Sequence, residues 1–136
     1  MARKQKADPE VVEALTEHTT FDPGTVKHLA TVGTAVNIPQ GWSIIMESTP
    51  ADSAYIVLSG TVEIRKAGEV VATLGAGDVF GEIALVHHRL RNASVVAASP
   101  IRALRLGDEA IESLLEHDKN FAESLRNRAA ERVAGD

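Results

Sequence analysis

From Thr34 to Leu106 apolar and polar residues alternate with a period of two, and turn-forming residues recur every eight to twelve positions. That pattern confines the chain to an all-β sandwich or barrel over its central half, because alternation buries one face of each short strand and the turns set strand length. The predicted strands are Thr34 to Ile38, Ser43 to Glu47, Ala54 to Ser59, Thr61 to Lys66, Val70 to Leu74, Val79 to Phe80, Ser94 to Ala98 and Ile101 to Leu106. Between them lie Pro39-Gln40-Gly41, Thr49-Pro50-Ala51-Asp52, Ser59-Gly60, Ala67-Gly68, Gly75-Ala76-Gly77-Asp78 and Ser99-Pro100, residues that supply a fixed or positive φ. About eight strands make an eight-stranded β-roll, or jelly roll, in a mainly β fold with flanking helices.

Helical signals bracket the strands. Residues 1–7 are polar and read as a loose N-terminus. Asp8-Pro9-Glu10 and Asp22-Pro23 are helix starts, in which an acid caps exposed amides and proline takes a position that needs no donor. Val11, Val12, Ala14 and Leu15 give the first helix its apolar face; Val26, Leu29 and Ala30 serve the second, which Gly33 stops. These leading helices fill 8–33, the β-roll fills 34–106, and C-terminal helices fill 107–133. Ile111, Leu114 and Leu115 mark the first of these, and a last helix is predicted from Asp118 to about Val133, with the narrow stripe Phe121, Leu125, Ala129, Val133. Two readings of that stripe stand open: a core or dimer seam, which would pair two copies as a homodimer, and a lid of Phe121 and Leu125 over a ligand.

Composition narrows the function. A chain of 136 residues, with 44% hydrophobic and 24% charged side chains, is one globular domain. With no cysteine it has no disulfide framework, thiol nucleophile or redox dithiol. Fourteen basic against nineteen acidic residues give a net charge of −5, which argues against general nucleic-acid binding. No apolar run follows the basic start and none approaches the ~20 residues of a membrane span, so the expected location is cytoplasmic. About three residues follow the last predicted helix, so no DNA-binding helix-turn-helix is expected. Trp42, after a turn glycine, is read as a core or rim residue rather than a base-stacking platform.

One segment breaks the β pattern. Residues 80–95 run Phe80-Gly81-Glu82-Ile83-Ala84-Leu85-Val86-His87-His88-Arg89-Leu90-Arg91-Asn92-Ala93-Ser94-Val95, and Glu82 to His87 reads as a turn or so of helix entered through Gly81. Free N–H groups at such a helix start favour a phosphate, and Arg91 can add a planar fork of donors to the same anion. Glu82 would repel that anion unless it accepts hydrogen bonds from neighbouring hydroxyls, so the set suits a ribose phosphate. His87 and His88 are adjacent rather than four apart, so no metal site is expected.

The run Phe-Gly-Glu-Ile-Ala-Leu, followed after five residues by Arg-Asn-Ala-Ser-Val, resembles the phosphate-binding cassette of cyclic nucleotide-binding domains. That family includes the bacterial catabolite activator protein and the regulatory subunits of protein kinase A. The likeness extends through Pro39-Gln40-Gly41, Tyr55-Ile56-Val57, Ser59-Gly60-Thr61-Val62, Gly77-Asp78 and the closing helices. It implies a non-enzymatic sensor of cyclic AMP or cyclic GMP that relays binding by repacking its C-terminal helices, with an effector protein or a fused output domain as partner and no other cofactor. It implies that Gly81 lets the backbone approach the ligand, Glu82 accepts the ribose 2′-hydroxyl, the amides of Ile83 and Ala84 face the phosphate, Arg91 is its charged partner and Ala93 keeps the backbone close. Asn92 stands where relatives carry Ala, Ser or Thr and leaves base preference open, since its amide both donates and accepts. Leu90 replaces a proline common before the arginine, and the turn Ser48-Thr49-Pro50-Ala51 lacks a usual glycine; both bear on affinity rather than ligand class. The rivals are a degenerate β-roll that serves as an interaction module, and a cupin-like metal enzyme, which would need a His-x-His pair that the sequence lacks.

Overall fold

A computed structural model describes residues 7–81, 91, 93–119 and 121–123. Helix α1 (Pro9–His18) and helix α2 (Pro23–Val32) open the fold, each with proline in the first turn. Asp8 accepts a hydrogen bond from the Glu10 amide at 2.9 Å, and Asp22 accepts one from the Thr25 amide at 2.8 Å, the capping expected of aspartate. Eight strands follow: β1 (Thr34–Ile38), β2 (Ser43–Ile45), β3 (Ser53–Ser59), β4 (Val62–Lys66), β5 (Glu69–Leu74), β6 (Val79–Phe80), β7 (Ser94–Ala97) and β8 (Ile101–Gly107). Helix α3 (Asp108–His117) comes next. Asp118 then caps a further helical turn, its carboxylate accepting from the Phe121 amide at 3.0 Å.

The strands form two antiparallel four-stranded sheets, ordered β1-β8-β3-β6 and β2-β7-β4-β5. The first sheet is covered on both faces. Ala54, Ile56 and Leu58 of β3, with Leu104 and Leu106 of β8, pack with Val11, Leu15, Val26, Leu29, Ile111, Leu114 and Phe121 from the helices. Val57, Ile101 and Ala103 point the other way and meet Ile45, Val62, Val95 and Ala97 of the second sheet. Two-sided burial explains why β3 reads as a continuous apolar run instead of alternating. By contrast β5 lies at a sheet edge and is exposed along most of its length.

Strands β3, β4, β5 and β7 each differ by one residue at one end from the sequence reading, and two other boundaries differ for a visible reason. Strand β2 stops at Ile45, two residues early, because the chain turns at Met46 to Thr49 with Ser48 at φ +66°. Strand β8 runs one residue further, since Gly107 pairs with Ser53. Trp42 is 63% exposed, a surface residue and not a core one. Gly33 does end α2, but at φ −84°; a Cβ there would lie 2.6 Å from Leu104 Cγ, so the glycine serves close packing rather than a left-handed turn. The last predicted helix beyond residue 123, with Leu125, lies outside the described residues. No described helix is long and apolar enough to cross a membrane.

Candidate functional site

The site is built where β6 ends. Val79 and Phe80 pair with Ile56 and Tyr55 of β3, and the Phe80 ring stacks on Tyr55 with centroids 5.1 Å apart and planes at 8°. Buried on that stack, β6 hands the chain to Gly81, which takes φ +84°. A Cβ at this position would lie 2.9 Å from Arg91 Nη1, 3.0 Å from Ile45 Cδ1 and 3.3 Å from the Ser53 carbonyl oxygen. Both the backbone conformation and the crowding therefore require glycine. What approaches Gly81 so closely is the arginine ten residues on.

Arg91 is 6% exposed. Its Nη1 donates to the Gly81 carbonyl, and its Nη2 donates to the Ser53 carbonyl at 2.6 Å. The Asp52 carboxylate stands 3.9 Å from the same Nη2 and 3.8 Å from Nη2 of Arg105, and is itself largely exposed. Carbonyl oxygens satisfy N–H groups without cancelling the charge, while a solvated carboxylate at that distance contributes weakly. Two main-chain carbonyls therefore orient the buried guanidinium. That arrangement suits an anion.

The Arg91 main chain is held as well. Its N–H donates to the Thr49 carbonyl and its carbonyl accepts from the Ser48 N–H, both at 2.8 Å. Two residues on, Ala93 is buried, and Ser94 begins β7 with its hydroxyl accepting from the Glu47 amide at 3.0 Å.

Of the predicted site residues, the structure brings Gly81 and Arg91 into contact and buries Ala93 close by in sequence. Glu82, Ile83, Ala84 and Asn92 lie outside the described residues, as do His87 and His88. Phe121 is buried in the core, its ring 5.7 Å from that of Phe21. Among the described residues no three His, Asp or Glu side chains converge as a metal site would require. Sequence reasoning named the Ser48-to-Ala51 turn as bearing on affinity but missed Asp52, Ser53 and the main-chain bonds of residues 48 and 49 to Arg91. Ser53 and the turn act through backbone atoms, which leave no mark on residue type; Asp52 is an acid at a strand start, a place where solvated acids are common.

Between β6 and β7 of this β-roll lies Arg91, buried and held on two main-chain carbonyls. The family described as cyclic nucleotide-binding domain matches residues 35–118, more than half of the chain, and this protein belongs to it. The cAMP-dependent protein kinase regulatory subunit of Yarrowia lipolytica is 39% identical over 89 residues, which cover 64% of this chain and 24% of that protein. Among solved structures, the catabolite activator protein of Thermus thermophilus superposes with a TM-score of 0.77 at 27% identity, covering 90% of this chain and 59% of that one. The regulatory domain of Toxoplasma gondii PKA with cAMP gives a TM-score of 0.67 at 26% identity, covering 76% and 42%. The chain thus spans about a quarter of the curated relative's length.

Proposed function

We propose that this domain is a non-enzymatic sensor of cyclic AMP, with Arg91 as the charged partner of the cyclic phosphate. The observation that carries this reading is the nearly buried guanidinium held on the Gly81 and Ser53 carbonyls inside the family's matching segment. Cyclic AMP is favoured over cyclic GMP because the relatives named for a nucleotide are named for cAMP. In this reading the amides of Ile83 and Ala84 face the phosphate, Glu82 accepts the ribose 2′-hydroxyl, Asn92 bears on the base and Ala93 lets the backbone lie close.

Binding acts by population shift, and its output is limited by the ligand's differential affinity for two states. A route exists from Arg91 to the C-terminal helices: the Asp52 carbonyl accepts from the Asp108 amide at 3.1 Å, so the segment that holds the guanidinium also holds the start of α3. Repacking of α3 and the turn after it is the relay, and the receiver is an effector protein or a fused output domain. Phe121 would act as a lid only after leaving Phe21; Leu125 is the other lid candidate.

Calorimetric titration of the purified chain tests this. Cyclic AMP is expected to bind more tightly than cyclic GMP, and Glu82→Gln is expected to bind cyclic AMP and its 2′-deoxy analogue about equally. No heat or thermal shift with either nucleotide would overturn the sensor reading in favour of an interaction module. A Glu82→Gln chain that still discriminates the deoxy analogue would remove Glu82 from the ribose.

A further inference from the structure

We infer that Ser48 and Thr49 are positioning residues for the phosphate-binding arginine: the turn from Met46 to Thr49 clamps the Arg91 main chain and thereby aims its guanidinium. The inference rests on the reading of Arg91 given above. Its basis is a pair of main-chain bonds, Ser48 N–H to Arg91 carbonyl and Arg91 N–H to Thr49 carbonyl, each 2.8 Å. Two such bonds fix the peptide planes on either side of residue 91, and with them the direction in which its side chain leaves the backbone.

The clamp closes because Ser48 adopts φ +66°, in the left-handed region where a side chain is disfavoured. The Thr49 hydroxyl ties the turn internally by donating to the Met46 carbonyl at 2.6 Å, and the Glu47 amide anchors it to Ser94 at the start of β7. Further along the chain, the Ser53 carbonyl accepts from the other end of the arginine. One segment, residues 46–53, therefore holds Arg91 by both its main chain and its guanidinium.

A rigid planar fork profits from being aimed, whereas the flexible ammonium of lysine does not. The test follows from that difference. The dissociation constant for cyclic AMP is measured by calorimetry for the full chain and for Ser48→Gly, Ser48→Val and Thr49→Val, each with arginine and with lysine at position 91. A β-branched residue resists the left-handed conformation, so Ser48→Val is expected to weaken binding about five-fold. Glycine accepts that conformation, so Ser48→Gly is expected to stay within about two-fold. Thr49→Val, at a half-buried position and conservative in shape, loses the internal tie and is expected to weaken binding about two- to three-fold. It keeps the test decisive should Ser48→Val fail to fold.

In the Arg91→Lys background these losses should vanish, a dependence that a merely structural role of the turn would not show. Unchanged affinity for Ser48→Val and Thr49→Val, or equal losses with lysine at 91, would overturn the clamp while leaving Arg91 as the phosphate partner. Full affinity of Arg91→Lys alone would overturn the aimed fork and the clamp with it, whereas full affinity of Arg91→Ala would overturn the phosphate reading itself.

Discussion

Gly81 carries two constraints at once, a φ of +84° and a guanidinium, an Ile45 methyl and a carbonyl where a Cβ would stand. Alanine there is expected to cost about 1–2 kcal/mol from the backbone alone. The larger consequence falls on Arg91, which must retreat from the Gly81 carbonyl. Urea unfolding should show the loss in stability, and calorimetry a weaker cyclic AMP complex; a variant with parental midpoint and affinity would contradict this account. The sequence marked Gly81 and Arg91 as partners of a ligand. Their contact with each other, and the Ser53 carbonyl that completes it, arise from tertiary placement that residue types do not encode.

At the scale of elements, the helix starts were legible because aspartate and proline act locally. Asp22 shows the consequence: the hydrogen bond from the Thr25 amide, the largest cause, holds the Asp22 carboxyl below the usual aspartate range. A depressed folded-state value contributes stability above the unfolded aspartate pKa of about 4, which is lost as pH falls through the folded one. Stability of the parent relative to Asp22→Asn should therefore fall on acidification below about pH 4, read from urea midpoints across pH. A constant gap down to low pH would show that the cap does not titrate as argued. Strand positions were legible from alternation and turns, and the registers fit them. The early end of β2 was not, because it depends on a left-handed serine that sequence statistics reserve for glycine or asparagine. The exposure of Trp42 and of Val70 and Val71, at 51% and 53%, was equally hidden, since periodicity says which residues share a face but not whether a neighbour covers it.

Across the whole molecule, one sheet is packed between helices and a second sheet, so its central residues have no exposed face to spare. Leu104 is fully buried and lies against Gly33 at the end of α2. Leu104→Ala should lower stability by about 3 kcal/mol, seen as a reduced urea midpoint with unchanged slope. A loss below about 1 kcal/mol would mean that the core collapses around the gap. The same packing joins the leading helices to the turn after α3: Phe121 meets Phe21, and the Thr25 hydroxyl donates to Asp118 at 2.6 Å. A C-terminal segment seated on the leading helices is what a relay must move. In the proposed function that movement starts from an anion held by Arg91. Titration of cyclic AMP into Arg91→Ala beside the parent examines that step most directly. Loss of charge-assisted bonds predicts binding weaker by ~2 to 3 kcal/mol, roughly 30- to 150-fold, in a chain that remains folded. A dissociation constant equal to the parent's would place the phosphate elsewhere and end the argument.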